Sequence, residues 1–89
     1  MPPSPDLPGL GPKSLAMLAA AGLHGRADLE KLGSVRAYLR VQAAGQNASR
    51  NLLWALEGAL TGQDWRVIAR EERSRLLIEL DAAQEAARR

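Results

Sequence analysis

With 89 residues and no cysteine, the chain makes one domain near the lower limit of what folds unaided, without disulfide, thiolate metal site or thiol nucleophile. Hydrophobic residues are 46% of it, yet phenylalanine is absent and Tyr38, Trp54 and Trp65 are the only aromatics, so the core must be built from Leu, Ala and Val. The formal charge is +2, and all of the 12 basic residues except Lys13 and Lys31 are arginine, a balance that permits nucleic-acid contact without demanding it.

Residues 1–6 read as a flexible lead, with three prolines and no apolar anchor, and residues 7–89 as a single helical domain. The run Leu7-Pro8-Gly9-Leu10-Gly11-Pro12-Lys13-Ser14 follows. Glycines on both sides of Leu10 allow a tight turn with φ values that other residues resist, and Pro12 suits the first position of a helix. That helix should run from Pro12 to about Ala21, with Leu15, Leu18 and Ala19 on its apolar face and Met17 at the edge, and stop at Gly22. A short helix over about Arg26–Lys31 turns Leu23, Leu29 and Leu32 inward.

The next helix starts at Gly33-Ser34 with Ser34 as its N-cap, carries Val35, Tyr38, Leu39 and Gln42 on one stripe, and ends at Gly45-Gln46-Asn47. Ser49 caps the following one, from Arg50 to about Thr61. Leu52, Leu53, Leu56, Ala59 and Leu60 form a wide arc there with Trp54 opposite, a pattern that predicts a central, buried helix. Gly58 weakens it by about 1 kcal/mol relative to alanine, so a backbone or ring is expected to pack closely there. Gly62 and Asp64 break and recap the chain before Trp65. The last helix, about Arg70–Ala87, buries Leu76, Leu77, Leu80, Ala83 and Ala87, while Ile78 points away toward a partner or a second copy. The expected fold is therefore all-α, a compact bundle of about five short helices.

The best functional clue is the glycine-rich turn. A helix start presents unpaired N–H groups and a partial positive charge, and Lys13 sits in that first turn, so the parts of a small anion site are present. The competing reading is a turn that merely docks the first helix onto the core. Arg36 and Arg40 are one helical turn apart and with Arg50 could touch phosphates, as could Arg66, Arg70 and Arg73; ordinary solvated faces look the same. Both tryptophans read as core packing. His24 is the only histidine and has no acid or nucleophile paired with it, and neither a metal-ligand cluster nor a nucleotide-binding loop is present, so neither catalysis nor a cofactor is expected. Apolar runs are too short to span a bilayer and the N-terminus lacks the regions of a signal peptide, so a cytoplasmic protein is expected.

The run Leu7–Lys13 resembles the hairpin of helix–hairpin–helix domains. That resemblance implies main-chain contact of Gly9, Leu10 and Gly11 with one DNA phosphate, Leu10 packing inward to hold the turn. In that family a full helix precedes the hairpin, whereas six residues precede Leu7 here. A broader resemblance covers about Leu7 to Leu80: Leu10-Gly11-Pro12-Lys13-Ser14, Leu32-Gly33-Ser34-Val35-Arg36-Ala37-Tyr38, and above all Asn51-Leu52-Leu53-Trp54-Ala55-Leu56-Glu57-Gly58-Ala59-Leu60 with Trp65 following. In order and spacing these resemble the C-terminal domain of TfoX/Sxy proteins, bacterial regulators of natural competence. The resemblance implies a helix–hairpin–helix/SAM-like domain serving transcription of DNA-uptake genes with the cyclic-AMP receptor protein. The family normally places another domain first, so a stand-alone regulatory form is expected here. Its contact with double-stranded DNA would be to the backbone and carry no sequence information, through Gly9, Leu10, Gly11, Lys13 and Ser14 with Arg36 and Arg40 adding charge. A protein–protein interaction module of the same fold without DNA contact is the alternative.

Overall fold

A computed structural model describes residues 10–46 and 48–88. The expected lead over residues 1–6, Leu7 to Gly9 and Asn47 lie outside these. Helix α1 (Pro12–Ala20), α2 (Arg26–Ala43), α3 (Arg50–Thr61), a short α4 (Trp65–Val67), a π-helical turn (Ile68–Glu72) and α5 (Arg73–Ala87) follow in order, with no strand among the described residues. Helix α3 is central: it packs against α2 on one side and against α4 and the π-helical turn on another, while α5 closes over α2 and α1 joins through α2.

Glycine ends three of these helices. Gly22, Gly45 and Gly62 have φ of 82°, 86° and 76°, the left-handed region that other residues enter at a cost. At the first of them the Leu23 amide donates to Leu18 O at 2.8 Å and the Gly22 amide to Ala19 O at 3.0 Å, the paired bonds of a Schellman stop. Gly33 is different: with φ 80° and ψ 165° it interrupts α2. The two helices expected on either side of Gly33 thus exist as two segments of one element joined at a kink.

Ser34 does not cap the second segment. It is buried, and its hydroxyl donates to Glu57 Oε1 at 2.7 Å, 23 residues away. Glu57 also pairs with Arg75 at 2.8 Å, and Arg75 reaches Glu72 at 3.1 Å and Glu79 at 2.9 Å. The hydrogen bond to Glu57, then those to Glu72 and Glu79, hold the Arg75 guanidinium above its ordinary pKa against a partial desolvation. The network ties α2, α3 and α5 together. Arg26 makes a second tie, donating to the final carbonyls of α3, Ala59 O at 3.0 Å and Leu60 O at 3.1 Å, which satisfies groups the helix leaves open.

The aliphatic core is as the composition requires. Leu18, Leu29, Val41, Leu53, Leu56, Ile68 and Leu76 are wholly buried, and Trp54 is buried on the other side of α3. Gly58 meets a backbone: a Cβ there would lie 2.5 Å from Gln63 O, so the returning loop packs where a side chain would stand. Two expectations need correction. The last helical stretch, running through α4, the π-helical turn and α5, starts at Trp65 instead of Arg70, its first turn capped by Asp64. Ile68 and Leu76 would point about 80° apart on an ideal α-helix, and the wide π turn absorbs the extra residue that brings both to the core. Trp65 is not core; it is 37% exposed, with the Arg66 guanidinium 5.3 Å from its ring centroid. No helix among the described residues is long and apolar enough to cross a membrane.

Candidate nucleic-acid interface

Leu10 is buried, anchoring the chain where it enters α1, and Gly11 takes the N-cap position with Pro12 at the first helical position. Gly11 has φ −81° and ψ 174°, extended backbone that any residue adopts, so the expected strained turn is not found at this glycine. Nor does packing require it, since a Cβ there would meet nothing within 4 Å. The result is a helix start that no side chain among the described residues caps. By helix geometry the amides of Lys13 and Ser14 have no acceptor within α1, and no side chain caps them.

A second helix start faces the same space. Ser49 is at the N-cap of α3 as expected, but its hydroxyl makes no capping bond; the Leu52 amide donates to Ser49 O at 3.0 Å, and the Arg50 and Asn51 amides have no acceptor within the helix. Lys13, Ser14 and Met17 from α1, Ser49, Asn51 and Leu52 from the start of α3, and Trp65 line one shallow groove of about 380 Å³. Two open helix starts therefore converge, with an exposed lysine and a half-exposed indole at the edge. Among the described residues no cluster of His, Asp or Glu could hold a metal ion.

The structure divides the residues that the sequence suggests. Lys13 and Ser14 come together at this groove, Gly11 is the exposed N-cap residue just before them, Leu10 is buried, and Gly9 lies outside the described residues. Arg36 and Arg40 are exposed on α2 and line a different groove, between α2 and α5. Sequence reasoning missed Ser49 and Asn51 as companions of Lys13, because two helix starts lining one groove leave no periodic signal.

The family model of the TfoX C-terminal domain matches residues 5–80. The chain belongs to that family. The matched span of this TfoX C-terminal domain takes in both helix starts, the Gly33 kink and the first half of α5. No curated protein and no solved structure matches it.

Proposed function

We propose that this TfoX C-terminal domain is a non-catalytic cytoplasmic regulatory module that meets double-stranded DNA through its phosphate backbone, in the service of competence and DNA-uptake gene expression. The observation that carries the reading is the convergence of two uncapped helix starts with Lys13 on one groove. A phosphate there would accept from open amides in a favourable helix-dipole field, with Lys13 adding a full charge. Gly11, which the fold does not demand, leaves room for such an approach. Exposed Trp65 offers an apolar ring beside the sugar–phosphate chain. Arg36 and Arg40, in another groove, add only long-range attraction.

Contact of this kind carries no base information and is modest, with a dissociation constant on the order of 10⁻⁴–10⁻⁶ M at physiological salt. Sequence selection would then come from a transcription-regulator protein bound nearby. Fluorescence anisotropy of a labelled generic duplex, titrated over a salt series, tests the reading. Affinity should fall with salt, and Lys13→Glu should weaken binding and flatten the salt slope by about one unit, more than Arg36→Glu does. No binding in low salt, or equal affinity for Lys13→Glu, would make the groove architecture alone. The second reading, a protein-interaction module without DNA contact, is favoured by Ile78, which is 71% exposed.

A further inference from the structure

Helix α5 carries an apolar anchor on the side away from the core. Leu76 and Leu80 are buried, whereas Ile78, about 200° from Leu76 around the axis, is 71% exposed. Asp81 and Glu85 follow Ile78 at i+3 and i+7, on the same outward face, and both are exposed. Neither has an ion-pair partner among the described residues, in contrast to Glu72 and Glu79, which Arg75 engages.

The complementary surface is the groove between α2 and α5, of about 780 Å³. Leu32, Leu39, Ala43 and Ala83 give it an apolar lining. Arg36, Arg40 and Arg88 stand around it, again without ion-pair partners among the described residues, and no acidic residue lines it. The carbonyl ends of α2 and α5 lie here too, but three guanidinium groups outweigh two half-charges. An acidic helix face with one aliphatic anchor is what such a groove accommodates, and this chain displays one.

We propose that a second copy of this chain is the occupant: the outer face of α5, Ile78 with Asp81 and Glu85, docks into the arginine-rimmed groove of its partner. Ala83 and Ala87 turn the α2-facing side of α5 to the groove, roughly opposite Ile78 around the axis, so face and groove lie on opposite sides of α5 and copies join head to tail, each face in the next copy's groove. The inference is independent of DNA contact, which uses the groove between α1 and α3.

Sedimentation equilibrium of the whole chain, from about 10 µM to about 1 mM in low and high salt, tests it. The wild type should show concentration-dependent self-association that weakens with salt. Arg36→Glu/Arg40→Glu and Asp81→Arg/Glu85→Arg should each associate at least about tenfold more weakly alone, yet associate with each other when mixed, because each variant's face then meets a groove of opposite charge. Ile78→Ser, at an exposed position that cannot harm the core, should weaken association as well. A monomeric wild type at the highest concentration in low salt would overturn the proposal. So would association indifferent to these substitutions, or charge variants that stay folded by circular dichroism but do not pair when mixed.

Discussion

At Asp64 the chain closes its own helix start, the side chain accepting the Arg66 amide at 2.8 Å, whereas at Gly11 and Ser49 no side chain caps the first turn. All three precede helices of one small domain, and the sequence places a good capping residue at both Asp64 and Ser49. What separates them is surroundings. Asp64 belongs to the loop whose backbone presses on Gly58, so that corner is fixed by packing and completed by its cap. The first turns that follow Gly11 and Ser49 border an open groove through Lys13, Ser14 and Asn51, whose amides stay available. The contrast teaches that capping potential in a sequence does not say whether the cap is made, and that an unmade cap marks where a ligand can complete the helix.

Substitutions can break or sharpen that contrast. The largest effect belongs to the frame on which both regions hang: Leu56→Ala, at a wholly buried site in α3, should cost roughly 2–5 kcal/mol in denaturant unfolding. A loss below about 1 kcal/mol would show that α3 is not the core helix. On the closed side, Gly58→Ala must displace the Gln63 carbonyl and should cost about 1–3 kcal/mol, read as a lower melting temperature. At the caps themselves, Asp64→Ala should lose about 1 kcal/mol, whereas Ser49→Ala should lose no more than a few tenths, because that hydroxyl makes no capping bond. Equal losses at the two positions would erase the distinction. The smallest effect on stability is that of Lys13→Glu, which should leave it unchanged or raise it by up to about 1 kcal/mol, since a first-turn carboxylate suits the helix dipole. The same variant should bind DNA less well, separating affinity from stability in one protein.

Much of the frame was legible because it rests on local rules. The limits of α1 and α3 fell within a residue of expectation, since Pro12 and the αL glycines Gly22 and Gly62 act on their immediate neighbours. The tight approach at Gly58 was legible too, because glycine inside an apolar helix needs a packing reason. Ser34 misled: its place after a glycine imitates an N-cap, but the partner it finds is Glu57, across the fold. The early start of the last helix was hidden by the π turn, which shifts the apolar phase between Ile68 and Leu76. Trp65 was misread because an indole after a helix stop looks like core, and here Arg66 covers one part of its surroundings while the rest stays open. Of the candidate site, the start of α1 was readable and the start of α3 was not, as their meeting depends on how α1 and α3 are set about α2.

The account turns on open amides at the starts of α1 and α3, and amide-resolved NMR observes those groups directly. A ¹⁵N-labelled sample titrated with a short generic duplex in low salt should show its largest shift changes at Lys13, Ser14, Arg50 and Asn51, with the Arg66 amide, already held by Asp64, nearly still. Changes concentrated instead at Arg36 and Arg40, or no changes at the two helix starts under saturating duplex, would contradict the claim that this groove is where DNA is met.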